Sequence, residues 1–185
     1  MAYRNGTYIA FHADGSNKPV ESDIKYYNLI KAWTAKKDDD FALINSHEKN
    51  SAVRDTSKKQ TLEIRLKNRL SNSKNMILII GPTTKNDNDW VPFEIFYAID
   101  KCDIPIIAAY TGFEATRDPK KLRDLWPRAL KDRIDDGTAS VIHIPFKKNP
   151  LEDAVGQFSH SKKPKNGGLT IYSLKAYKEF GIEIK

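Results

Sequence analysis

Asp89-Trp90-Val91-Pro92-Phe93-Glu94-Ile95 is the stretch best equipped for chemistry. It follows an apolar run, Met76-Ile77-Leu78-Ile79-Ile80, that closes on Gly81-Pro82 and a polar loop. A buried strand, a loop and a helix start are written there in order. Glu94 comes four residues after Trp90, in the second turn of the expected helix. In an α/β sheet, ligands bind outside the carboxyl ends of the strands, so Glu94 lies where a crevice forms. The candidate catalytic group is therefore one carboxylate. Other chemistries lack their residues. His12, His47, His143 and His160 are far apart, and Cys102 is the sole cysteine, so no zinc-ligand spacing exists. Gly81-Pro82-Thr83-Thr84-Lys85 has too few glycines for a phosphate loop, and there is no dinucleotide fingerprint or Gly-x-Ser-x-Gly element. Metal catalysis and Ser or Cys nucleophiles are unsupported.

The elements that must position Glu94 alternate along the chain. Thr7 to His12 reads as a first strand, and Ala13 to Pro19 as a turn-rich loop. Ser22 or Asp23 can cap a helix through about Lys36, with Ile24, Tyr27, Ile30 and Trp33 at three-residue steps. Phe41 to Ile44 is a short second strand, and Asn45 to Ser57 is polar and irregular. Lys58 to Asn72 reads as a helix, with Leu62, Leu66 and Leu70 on one face. Asn75 to Ile80 is the third strand. Trp90 to Lys101 is the third helix, with Asp89 as its N-cap and Pro92 in its first turn, where the missing N–H costs little. Ile104 to Tyr110 and Ser140 to Ile144 are the fourth and fifth strands. Between them lies a helix from Pro119 to about Ile134, interrupted near Trp126-Pro127. Leu151 to Phe158 is a short helix, Ser159 to Gly168 a surface loop, and Leu169 to Phe180 a last amphipathic segment that Gly181 stops.

Such alternation implies a flavodoxin-like, doubly wound α/β fold: a mostly parallel five-stranded sheet with helices on both faces. Its length, 185 residues, suits one domain over 1–185, with 159–185 as a C-terminal extension. Three loops then meet at the carboxyl ends of the strands: Ala13 to Lys18, Asn45 to Ser57 and Gly81 to Asp89.

No apolar stretch approaches the roughly 18 residues that span a bilayer, and the N-terminus has no apolar signal core. One cysteine excludes an internal disulfide, so the expected compartment is the cytoplasm. Lys plus Arg is 31 against 24 Asp plus Glu, a net charge of +7 that suits an anionic partner such as a nucleotide. The basic residues are spread along the chain, which fits a solvated basic surface as well. No nucleic-acid module with a recognisable pattern is present, so no specific nucleic-acid binding and no membrane partner are expected.

In order along the chain, these segments resemble the TIR-like domains of bacterial antiphage defence, in particular the ThsB proteins of Thoeris systems. Tyr8-Ile9-Ala10-Phe11-His12 looks like the family's first strand, and Asp23 to Trp33 like its first helix. Asn45-Ser46-His47 with Arg54-Asp55-Thr56-Ser57 looks like its second loop. Met76 to Gly81, followed by Trp90-Val91-Pro92-Phe93-Glu94-Ile95, looks like its third strand and Trp-Val-x-x-Glu-Ile helix. Pro105 to Ala108 looks like its fourth strand. The likeness covers roughly residues 5 to 145. His12 stands where many TIR domains carry a small hydroxyl residue, and the first loop is long and carries Pro19.

The resemblance implies that Glu94 is the catalytic residue of an NAD glycohydrolase or ADP-ribosyl cyclase. NAD is then the substrate, with no separate cofactor and no metal. The implied product is a cyclic or other ADP-ribose-derived signal that activates a partner effector after a phage-derived trigger, with a homo-oligomer allowed. One carboxylate suffices for this chemistry. Nicotinamide is cationic in NAD and leaves as a neutral base, while the ribose becomes oxocarbenium-like and needs only a nearby negative charge. Substrate contacts are expected from Phe11, His12 and Asp14 at the end of the first strand and from Asn45, His47 and Arg54 in the second loop. Arg54 can pair with a pyrophosphate or stand as a surface arginine. Trp90 can stack on a base or pack. The alternative is a non-catalytic TIR-like protein-interaction module.

Overall fold

The computed structural model describes residues 4–12, 23–34, 43–44 and 56–184. Strands β1 (Gly6–Ala10), β2 (Leu43–Ile44), β3 (Ser73–Ile80), β4 (Ile106–Tyr110), β5 (Val141–Pro145) and β6 (Thr170–Ile171) form one sheet in the order β2-β1-β3-β4-β5-β6. Every pairing is parallel. The first five strands have the flavodoxin order, whose topological switch point lies between β1 and β3.

Helices α1 (Ile24–Thr34), α2 (Thr56–Ser71), α3 (Trp90–Phe96), α4 (Arg128–Asp135), α5 (Lys148–Gln157) and α6 (Leu174–Glu179) divide between the two faces. α2, α3 and α4 pack on Tyr8, Ala10, Met76, Leu78 and Ile80; α1, α5 and α6 pack on Ile9, Ile77, Ile79, Ile107 and Ile142. Strand alternation sends successive side chains to opposite faces, so both are apolar and β3 reads as a continuous apolar run. Leu62, Leu66 and Leu70 of α2 are all buried, each worth roughly 1.5–3 kcal/mol when fully removed from water.

The structure refines the element boundaries read from the sequence. The expected helix from Trp90 to Lys101 is α-helical only to Phe96; Tyr97–Lys101 widens into a π turn, closed by Cys102 N–H donating to the Tyr97 carbonyl. The helix expected from Pro119 to about Ile134 is interrupted at Trp126-Pro127 as expected, but its first part, Pro119–Leu125, is a 3₁₀ turn capped by Asp118, and α4 starts after Pro127, which has no N–H to continue that turn. Leu169 to Phe180 is not one amphipathic helix. Thr170–Ile171, two β-branched residues, join the sheet as a sixth strand beside β5, and α6 starts afresh at the Ser173 cap. α6 ends in a Schellman motif. Gly181, with φ of 72°, donates to Lys178, and Ile182 N–H donates to Tyr177.

Buried hydrogen bonds tie these late elements down. The Tyr177 hydroxyl accepts from Thr116 N–H and donates to the Thr116 carbonyl, each at 3.0 Å. His143 of β5 sits in a closed chain of donors: Trp126 Nε1–H donates to the Tyr110 hydroxyl at 2.6 Å, the hydroxyl meets His143 Nδ1 at 2.7 Å, and His143 Nε2 meets the Gly168 carbonyl at 2.8 Å. The neutral Nε2–H tautomer satisfies all three groups. Burial lowers the His143 pKa to about 4.

Candidate active site at the switch point

Two short ties close the carboxyl edge of the sheet between β1 and β3. His12, just past β1, meets Thr83 Oγ1 through Nδ1 at 3.3 Å. Thr84 Oγ1 accepts from Gly81 N–H at 2.8 Å and donates to Asp23 Oδ2 at 3.0 Å. A Cβ on Gly81 would lie 2.6 Å from Asp23 Oδ1, so glycine is what lets the strand end meet the start of α1.

α3 begins here, and its cap is Asp87. One carboxylate oxygen of Asp87 accepts from the N–H groups of Asp89, Trp90 and Val91, at 2.9, 3.0 and 3.3 Å. Asp89 makes no side-chain cap, contrary to the sequence reading; its carboxylate meets Lys59 Nζ at 2.9 Å. The polar loop adds a turn between Asp87 and the helix, and local residue types do not reveal which aspartate reaches back. Asp87→Ala is expected to cost about 1–2 kcal/mol, and Asp89→Ala a few tenths, since the latter loses a half-exposed ion pair. Urea melts of both variants check this; equal losses would return the cap to Asp89.

Trp90 opens α3 and is only 9% exposed. Its ring meets Phe93 edge-on with centroids 6.1 Å apart, and Lys59 Nζ lies 5.5 Å from its centroid. The indole N–H is buried and has no hydrogen-bond partner among the described residues. Such a donor is one an incoming acceptor would satisfy.

Glu94 lies one turn deeper, about 6 Å along the axis. It is fully buried. The hydroxyl of Tyr8, in the middle of β1, donates to Glu94 Oε1 at 2.5 Å. Tyr8 is fully buried too. Burial, then the Glu94 charge, pushes its phenol well above the ordinary tyrosine value, and Arg69 of α2 opposes that shift. A carboxylate, a neutral phenol and the field of a guanidinium are thus brought together under an otherwise apolar sheet face.

The other expected site residues divide. His12 and Trp90 flank the switch point. Phe11 does not join Glu94: it is 1% exposed, stacks on Tyr27 with centroids 5.2 Å apart and belongs to the core on the opposite face. Asp14, Asn45, His47 and Arg54 lie outside the described residues. Tyr8, Asp87 and Lys59 were not singled out from the sequence. A signal for Tyr8 was present, because alternation places it on the same face as α3, and a buried tyrosine needs a partner for its hydroxyl. Among the described residues no group of three His, Cys, Asp or Glu could hold a metal.

A family model for the TIR-like domain of the Thoeris protein ThsB matches residues 8–116, more than half of the chain. That span runs from Tyr8 through the switch point and Glu94 to the end of the loop after β4. The family is one of antiphage defence, and this chain belongs to it: it carries the TIR-like domain of Thoeris ThsB proteins.

Proposed function

We propose that this protein consumes NAD: it cleaves the nicotinamide–ribose bond and makes an ADP-ribose-derived signal, cyclic or linear, that activates a partner effector in antiviral defence. The observation that carries the reading is Glu94, an ionisable side chain fully buried one turn below the switch-point crevice. Burying a carboxylate is costly, and an apolar residue would fill the site at less cost. Buried ionisable groups in ligand-binding clefts are candidates for chemistry. In this reading Glu94 stabilises the positive charge that develops on the ribose, and Trp90 covers the leaving base, with its indole N–H open to a substrate acceptor. His12, Asp14, Asn45, His47 and Arg54 supply further contacts, with Arg54 suited to the pyrophosphate. NAD is substrate, not cofactor. The compartment is the cytoplasm, where a phage-derived trigger and a homo-oligomer complete the system; no described helix is long and apolar enough to cross a membrane.

A second reading rests on the same carboxylate. Tyr8 engages Glu94, and no surface of Glu94 is exposed, as suits a structural pair in a non-catalytic TIR-like interaction module. Concentrated protein incubated with NAD and phage lysate separates the two. Release of nicotinamide, followed by HPLC, is expected, and mass spectrometry then identifies the product. No release under any trigger would leave the module reading.

A further inference from the structure

The core layer between the sheet and helices α2 and α3 is built from Met76 and Leu78 of β3, Leu66 and Leu70 of α2, and Val91 and Ile95 of α3, all fully buried. A phenylalanine would serve the packing at position 8 equally well. The chain instead spends a hydroxyl there, and that hydroxyl is bonded to Glu94 Oε1. The contact joins residues 86 apart in sequence, from the central part of β1 to the second turn of α3. The terminal torsion of a glutamate is soft and roughly two-fold, so backbone placement alone leaves the carboxylate plane free to turn. A short charge-assisted bond from a rigid strand removes that freedom. The raised phenol pKa keeps Tyr8 protonated, hence a donor, across the working range.

We propose that Tyr8 is a positioning residue for Glu94: its hydroxyl, held by β1, orients the carboxylate that faces the reacting ribose. This rests on the NAD-cleaving reading above. Tyr8 itself touches no substrate and transfers no proton. It acts through Glu94, and the share of the rate it governs is that of geometry, where a misplacement of about 1 Å can cost 100-fold.

The test is Tyr8→Phe, which keeps the ring and removes only the hydroxyl, assayed for nicotinamide release in the triggered protein beside wild type. Leu151→Ala, a core truncation on the opposite face, serves as a control for lost stability alone. The expected result is a kcat lower by roughly 10- to 100-fold with KM within about twofold. Leu151→Ala is expected to lower the thermal midpoint while leaving kcat per folded molecule unchanged. An unchanged kcat in Tyr8→Phe would overturn the proposal, as would a loss no larger than its unfolded fraction explains. If wild type itself releases no nicotinamide, the NAD-cleaving reading fails and the positioning role falls with it. Thermal unfolding of Tyr8→Phe in wild-type and Glu94→Leu backgrounds, the latter leaving the hydroxyl no acceptor at position 94, distinguishes that case: an effect of the hydroxyl that depends on Glu94 shows the contact is real but serves structure.

Discussion

Glu94→Gln is expected to lower nicotinamide release at least 100-fold while leaving the circular dichroism spectrum unchanged. The substitution keeps the length of the side chain and an oxygen that can still accept from Tyr8, so it removes charge with little change of shape. Charge is what the chemistry needs. Nicotinamide departs as a neutral base and requires no proton, whereas the ribose gains positive character as the bond stretches. A preorganised negative group in a buried site acts on that developing charge more strongly than in bulk water, and losing one such stabiliser costs about 10²–10³ in rate. KM is expected to move far less than kcat, because the ground-state ribose carries less of that charge. Release within a few-fold of wild type would sink the assignment and return Glu94 to a structural role. Removing Tyr8's hydroxyl should produce a smaller loss than removing Glu94's charge, since one disturbs the geometry of the interaction and the other deletes it.

Sequence alone carried the sheet order and the place of Glu94 because both are local signals. Five apolar runs, each followed by an amphipathic segment, leave few parallel topologies, and the observed β2-β1-β3-β4-β5 order is the flavodoxin one. Trp90 begins α3 and Glu94 lies one turn inside it, as the strand–loop–helix pattern requires. What could not be read was pairing at a distance. The bond from Tyr8 to Glu94 crosses 86 residues, and the one between Tyr110 and His143 crosses 33. Residue types propose donors and acceptors but not which of them meet. The misplaced cap is a smaller case of the same limit: Asp87 and Asp89 are equally good capping residues, and only the course of the loop decides. Phe11 could be read from the sequence as part core and part pocket wall; period-two alternation sends it into the core on the face opposite Glu94. β6 was hidden because two residues make too short a run for any periodicity.

Acid should weaken the fold as the pH falls below about 6.5, and His143 should be the cause. In the unfolded chain its imidazole takes up a proton as the pH falls through about 6.5; in the folded protein it does so only near 4, because burial opposes the charge. Between those values the unfolded chain binds one proton more. Stability is therefore intact above about 6.5 and falls as the pH drops toward 4, by about 3 kcal/mol at full extent. Asp100, Asp135 and Asp136, whose pKa values are lowered, act in a lower window. Asp100, held down by its hydrogen bonds from Arg133, loses its contribution only below the ordinary value of 3.8. Burial is the main cause, and the bond to Gly168 opposes it; a second proton at Nδ1 would in addition face the Tyr110 hydroxyl, which would have to give up its own donation. That hydroxyl also accepts from Trp126, so the disturbance reaches α4's approach as well as β6's. Urea denaturation between pH 7 and 4 measures the slope directly. His143→Gln, which offers an acceptor and a donor but no titration in this range, should flatten it, at some cost in stability at pH 7. An equal slope in both proteins would remove His143 as the source and assign the acid sensitivity to groups elsewhere in the chain.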